Sequence, residues 1–221
     1  MIKLKIIVCG DTHGYWNTLN ELIREEKPDI LLQVGDFGYW EKIPQFSIKK
    51  IEPLNSKIYF CPGNHENWHL LNELKDNQLT EHIRYMPKGS TLRLPDGRNI
   101  LFMGGADSVD KGWRTPGYDW FPEELINERD MGNLPNEDID IVISHTCPLE
   151  FDMKSTYGTG EKLHDPSREY LSQILKRYKP KEWYFGHWHI FSHGVVKFND
   201  NKECRWISLN ECLSDNWWIE I

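Results

Sequence analysis

The chain has 221 residues, of which 39% are hydrophobic and 27% charged, a balance that suits one folded domain over residues 1–221 and excludes a disordered chain. A formal net charge of -8 with no Lys/Arg cluster argues against an extended nucleic-acid-binding surface. No apolar run approaches the roughly 20 residues of a membrane-spanning helix, and residues 1–8 lack the length and cleavage site of a signal peptide, so no membrane partner is expected.

The first apolar run, residues 4–8, predicts a buried strand that ends at Gly10-Asp11-Thr12-His13-Gly14. A helix follows, with Leu19, Leu22 and Ile23 on one face and Pro28 beyond its end. Residues 30–34 form a second run, ending at Gly35-Asp36-Phe37-Gly38, and residues 58–60 a third, ending at Gly63-Asn64-His65-Glu66. A helical pattern with Leu70, Leu71 and Leu74 comes next. Residues 91–94 and 100–103 flank an Asp96-Gly97 step, which predicts a hairpin. After a long loop, residues 104–121, Pro122-Glu123-Glu124 reads as a helix start. Residues 139–143 run into Ser144-His145, and Asp165-Pro166 caps a helix carrying Leu171, Ile174, Leu175 and Tyr178 on one face. Residues 183–185 end at Gly186-His187-Trp188-His189, and residues 195–221 are strand-like.

This alternation of apolar runs and helical patterns predicts an α/β layer fold with a sheet covered on both faces. In such sheets the functional loops collect beyond the C-terminal strand ends. Asp11, His13, Asp36, Asn64, His65, His145, His187 and His189 all fall there. Imidazole, carboxylate and amide oxygen are ligands for divalent metals, and a carboxylate can bridge two ions. Taken singly, each loop is weak evidence: Gly-Asp is a common turn, and Gly63-Asn64-His65-Glu66 could be a capped helix start. Their joint order is far more specific.

That order, Asp11-x-His13, Gly35-Asp36, Gly63-Asn64-His65-Glu66, Ser144-His145 and Gly186-His187-x-His189, resembles the full motif set of the calcineurin-like metallophosphoesterases. The resemblance implies a four-layer α-β-β-α sandwich. It implies a phosphoester hydrolase with two divalent metal ions and a bridging hydroxide as nucleophile. Asp11, His13 and His189 would hold the first ion, Asn64, His145 and His187 the second, and Asp36 would bridge them. His65 would protonate the leaving oxygen or bind the phosphoryl group, and Glu66 would orient or charge-stabilise His65. The nitrogen and oxygen donors suit Mn²⁺ best, with Fe, Zn²⁺ and Co²⁺ as alternatives. Protein Ser/Thr phosphatases of this superfamily continue their second loop as Asp-Arg-Gly. Here Asp36 is followed by Phe37-Gly38, so a phosphoprotein phosphatase is the less favoured enzyme reading. Lys111 and Arg114 of the long loop are then candidates for contacting the phosphate. A small phosphomonoester or phosphodiester, such as a nucleotide or a nucleic-acid end, is the expected substrate, and a non-catalytic metal-binding scaffold is the alternative.

The remaining features have blander readings. Trp40, Trp113, Trp120 and Trp188 could stack on a base, with packing as the default. His69, His82 and His164 are expected at the surface, and His193 in a solvated turn. Five cysteines without a Cys-x-x-Cys pair predict reduced, buried thiols and a cytoplasmic protein, with Cys147 buried rather than a ligand.

Overall fold

A computed structural model describes residues 4–40, 43–153 and 165–221. Eleven strands form two sheets among these residues. The first sheet has the order β11-β1-β2-β3-β4, from Trp218–Glu220, Ile6–Cys9, Ile30–Gln33, Lys57–Phe60 and Ile83–Tyr85. Strands β1 to β4 run parallel, and β11 joins β1 antiparallel. The second sheet has the order β5-β6-β7-β8-β10-β9, from Thr91–Arg93, Asn99–Met103, Ile141–Ser144, Glu182–Phe185, Glu203–Ser208 and Ser192–Lys197. Its β6, β7, β8 and β10 are parallel, while β5 and β9 close the two edges antiparallel.

The layering follows from which residues of each strand share a core. Ile6 and Val8 of β1 and Ile30 and Leu32 of β2 pack with Ile141 and Ile143 of β7, between the sheets. The intervening Ile7, Cys9 and Leu31 face Leu19, Leu22 and Ile23 of α1 (Trp16–Glu26). On the far side, Val142 and Trp183 face Leu171, Ile174 and Leu175 of α4 (Ser167–Tyr178). Strands with two buried faces show no polar alternation, which is why these runs are continuously apolar. The result is the expected α-β-β-α sandwich.

Helices α1 and α4 end alike. Lys27 and Lys179 take a left-handed backbone and send their N–H to Ile23 and Leu175, one turn back, and a proline follows each. Asp165 helps to start α4, its Oδ1 accepting the N–H of Ser167 at 2.9 Å. The hairpin is also present, with Leu94 and Arg98 bonded across the Asp96-Gly97 turn at 2.9 Å.

Three expectations need correction. Pro122-Glu123-Glu124 makes one 3-10 turn only, because Leu125 is extended (φ -77, ψ 139); the helix α3 starts later, at Glu128–Gly132, behind an Asn127 capping box. The Leu70 pattern gives a helix of five residues, α2 (Trp68–Asn72), capped by Asn67, so Leu74 packs from beyond its end. His193 lies exposed on strand β9 rather than in a turn. His164 lies outside the described residues. Among the described residues no helix is long and apolar enough to cross a membrane.

Candidate metal centre

The C-terminal ends of five parallel strands meet at one edge of the sandwich. Asp11 and His13 follow β1, Asp36 follows β2, and Asn64 and His65 follow β3. From the other sheet, His145 follows β7, and His187 and His189 follow β8. Two sheets are therefore needed to assemble one site.

The donors converge in two groups that share Asp11. His189 Nε2 lies 3.1 Å from Asp11 Oδ2 and 3.2 Å from His13 Nε2. On the other side, His145 Nε2 lies 3.4 Å from Asp36 Oδ1 and 3.0 Å from Asn64 Oδ1, and His187 Nδ1 also lies 3.0 Å from Asn64 Oδ1. Asp36 spans the two groups, its Oδ2 3.9 Å from His13 Nε2 while Oδ1 faces His145. Asp11, His13 and His189 form one triad with all donor atoms within 4.8 Å, and Asp11, Asp36 and His145 form another. All seven residues expected as ligands are thus brought together.

Whether the cluster suits a cation can be judged from its own atoms. Asp11 Oδ1 is fully buried and accepts no hydrogen bond. Leaving a buried carboxylate oxygen unsatisfied is costly unless positive charge lies beside it. His145 Nδ1 sits 3.1 Å from the Val34 carbonyl, to which it donates, leaving Nε2 as the ring nitrogen turned to the cluster. The glycines keep space clear. A Cβ on Gly186 would lie 1.9 Å from Asp11 Oδ1, and one on Gly63 would lie 2.0 Å from Asp36 Oδ1. The donor set, the orphaned oxygen and the cleared space fit a divalent metal.

The fold holds these side chains under strain. His13, Asp36, His187 and His189 have φ of 46°, 51°, 67° and 48°, the left-handed region that non-glycine residues avoid. Each such residue costs on the order of 1–2 kcal/mol, which packing elsewhere must offset. Buried Gln33 helps to impose this, tying the Gly10 carbonyl through Nε2 at 3.2 Å and the Gly35 amide through Oε1 at 3.0 Å. A polar residue closing an apolar strand was the sequence signal for it.

The electrostatics match. Burial opposes ionisation of Asp36, but the imidazoles of His145, His65 and His13 outweigh it and hold the carboxyl well below its usual range. Burial also opposes charge on His145, yet Asp36 and Asp11 lift it to about 9. The field that draws a proton onto His145 is the field that attracts a cation. His187 is pushed well down by burial and by its neighbour His145, so it offers a neutral ring. The hydrogen bond to Asp11 raises His189.

His65 stands at the cleft mouth, its ring 5.3 Å from that of His13 and its amide donating to Asp36 Oδ1 at 2.7 Å. Desolvation lowers its imidazole, Asp36 pulls the other way, and Arg114 lowers it again, leaving it below the ordinary value. Arg114 Nη2 lies 2.9 and 3.1 Å from the two ring nitrogens of His65, while Nη1 donates to the Asn64 carbonyl at 3.0 Å. Lys111 lines the same cleft of about 490 Å³, but its ammonium is paired with Asp107 at 2.7 Å.

Glu66 does not do what was expected of it. Its carboxylate accepts the backbone N–H groups of Phe37, Gly38, Tyr39 and Gly63, with Gly63 at 2.8 Å. It therefore clamps the Asp36 loop to the Asn64 loop instead of orienting the His65 ring. Burial and the nearby Asp36 raise it to about 7 against those bonds.

The other aromatic and histidine candidates separate clearly. Trp188 lines the cleft with Arg168 over its ring, and Trp40 donates to the His65 carbonyl at 2.9 Å. Trp120 donates to Glu124 at 2.9 Å, and Trp113 is 94% exposed with no packing role. His69 is exposed against the edge of Phe121, and His82 pairs with Glu81 away from the cleft. All five cysteines, including Cys147, are free and buried.

A family model described as calcineurin-like phosphoesterase matches residues 4–191. Comparison with curated proteins gave no match. Among solved structures, the chain is similar to phosphopantetheinyl hydrolase (PptH) from Mycobacterium tuberculosis, with 13% identity over 99% of this chain and 96% of that one and a TM-score of 0.51. It is more distantly similar to GAP50, the anchor in the inner membrane complex of Plasmodium, with 14% identity, coverage of 93% and 70%, and a TM-score of 0.46. A protein serine/threonine phosphatase from Saccharomyces cerevisiae gives 16% identity, coverage of 94% and 67%, and a TM-score of 0.36.

Proposed function

Because this chain belongs to the calcineurin-like phosphoesterase family, we propose that it hydrolyses a small phosphomonoester or phosphodiester, a nucleotide or nucleic-acid end among them, at a dinuclear metal centre. Asp11, His13 and His189 would hold one ion, Asn64, His145 and His187 the other, and Asp36 would be shared between them. The buried Asp11 Oδ1, which accepts no hydrogen bond although Asp11 belongs to both candidate metal triads, is the observation that carries this reading. Mn²⁺ is the preferred ion, with Fe, Zn²⁺ and Co²⁺ as alternatives. Bound divalent cations supply positive charge for phosphoryl oxygens and bring the pKa of water down toward about 7.

The chain's own side chains do the rest. Arg114, held beside His65 with its Nη2 2.7 Å from Asp110 Oδ1, and Lys111, paired with Asp107 at the rim, would reach the phosphoryl group by exchanging those carboxylates for phosphate. A phosphoryl group drawn to Arg114 offsets the guanidinium charge that lowers His65. The proton affinity of His65 then rises where a leaving oxygen needs a proton. The cleft of about 490 Å³ favours a compact substrate over a long polymer. Five buried thiols suit a reducing compartment such as the cytoplasm.

The test is turnover of bis-p-nitrophenyl phosphate and p-nitrophenyl phosphate by protein loaded with Mn²⁺. Hydrolysis of either, abolished by chelation and restored by metal, supports the reading, and their ratio separates diesterase from monoesterase. No turnover of any phosphoester with Mn²⁺, Fe²⁺, Zn²⁺ or Co²⁺ refutes it in favour of a scaffold.

A further inference from the structure

An amide side chain is a metal ligand only through its oxygen, yet the oxygen and nitrogen of asparagine are nearly the same size. A flipped Asn64 would present an NH₂ group to the ring nitrogens of His145 and His187. Something must therefore fix which end faces the cluster. Asn64 Oδ1 faces both rings, while Nδ2 donates to Ser108 Oγ at 3.2 Å. A hydroxyl has one proton. That of Ser108 is committed elsewhere, because Oγ lies 3.0 Å from Glu124 Oε2. Burial lifts fully buried Glu124 to about 7, and above that pH, where the experiment below is run, its carboxylate is an acceptor on every side: Oε1 takes the Ser108 amide at 2.8 Å and the Trp120 indole at 2.9 Å. With its proton drawn to Glu124, Ser108 can only accept from Asn64.

We propose that Glu124 and Ser108 are positioning residues that act through this hydrogen-bond chain to hold the Asn64 amide with its oxygen toward the second metal ion. The inference rests on the dinuclear reading above. It also accounts for a buried carboxylate in a turn that sequence patterning assigned to a helix start.

The chain of donors makes Glu124→Gln a polarity switch. Two N–H groups keep an oxygen at the Oε1 position, so the new NH₂ falls opposite Ser108 Oγ. Ser108 must then accept, its proton turns to Asn64, and the amide flips. The experiment is Mn²⁺ titration of metal-free protein by calorimetry, with electron paramagnetic resonance to distinguish coupled ion pairs from single ions. In Glu124→Gln and in Ser108→Ala the second ion should bind about 10–100-fold more weakly, with the first unaffected. The spectrum should change from a coupled pair to a single ion. Asn64→Asp supplies the decisive background, since a carboxylate has no wrong end. There, neither Glu124→Gln nor Ser108→Ala should cost further affinity for the second ion. Equal losses in the Asn64 and Asn64→Asp backgrounds, or wild-type binding of both ions by Glu124→Gln, overturn the inference. Failure of the wild-type protein itself to bind two ions is a different result and sinks the dinuclear reading instead.

Discussion

Gly63→Ala is the sharpest probe of how tightly the centre is built. The added Cβ would sit 2.0 Å from Asp36 Oδ1, 2.3 Å from the Asp36 amide and 2.7 Å from its carboxyl carbon. Real Cβ atoms essentially never come within 3.0 Å of such neighbours, so the Asp36 carboxylate must retreat by about 1 Å and the Asp36 backbone must shift with it. Gly63 has no left-handed backbone, so alanine brings no conformational penalty and the effect is steric alone. Overpacking of this kind costs about 1–3 kcal/mol, within reach of a domain stable by ~5–15 kcal/mol, so the variant should fold. A displacement of about 1 Å at a reacting centre costs on the order of 10²-fold in rate. The variant should therefore keep its circular dichroism spectrum, lose about 100-fold in activity on bis-p-nitrophenyl phosphate, and bind Mn²⁺ weakly. Gly132→Ala, whose Cβ meets nothing within 4 Å, is the control and should change neither property. Full metal content and near wild-type activity in Gly63→Ala would show that the position of the Asp36 carboxylate does not matter, and the proposed bridging role would fall.

Asp36→Asn and His65→Ala should separate ligand from acid: the first loses metal and activity together, whereas the second keeps both ions and loses about 10²–10⁴-fold, most with alkyl leaving groups that need a proton. Elemental analysis beside rates on alkyl and nitrophenyl esters checks this, and metal loss in His65→Ala contradicts the assignment. Because His145 is lifted to about 9 in the metal-free cluster, a cation must displace its proton at neutral pH. Apparent Mn²⁺ affinity should thus rise from pH 7 to 9, with proton release visible as buffer-dependent heat; a flat profile contradicts it. The sign for stability runs the other way: the His145 contribution to the metal-free fold is full below about 6.5 and is lost as pH rises through about 9. Burial pushes the thiols of Cys147, Cys204 and Cys212 up to about 12, so none of them should react with Ellman's reagent at pH 8 before unfolding, and all should after it.

The sequence made the candidate ligands legible for a physical reason. In parallel sheets the strands are short apolar runs, and whatever follows a run stands at the same edge of the sheet. Order along the chain therefore becomes proximity in space, and five loops separated by long intervals can be read as one site. Hydrogen-bond direction has no such mapping. Glu66 follows His65 directly, and adjacency suggested that it serves that ring, but its carboxylate turns back to four amides of two loops. Glu124 sits in a Pro-Glu-Glu segment that reads as a helix N-terminus, yet its side chain is spent on Ser108 and Trp120, and Leu125 extends to allow it. Strand β4, three residues long, is too short to carry a period of its own and is recruited only by the edge of β3. The left-handed His13, Asp36, His187 and His189 were equally invisible, since Asp and His, though enriched in that region, still take ordinary backbone at most positions. Those four residues mark where local preference yields to the site. At about 1–2 kcal/mol each, the four cost several kcal/mol that packing elsewhere in the fold offsets, so the donors stand ready-made for a cation. Preorganised donors of this kind bind a cation without first having to reorganise, which is why the strain belongs to the centre and not to the loops that carry it.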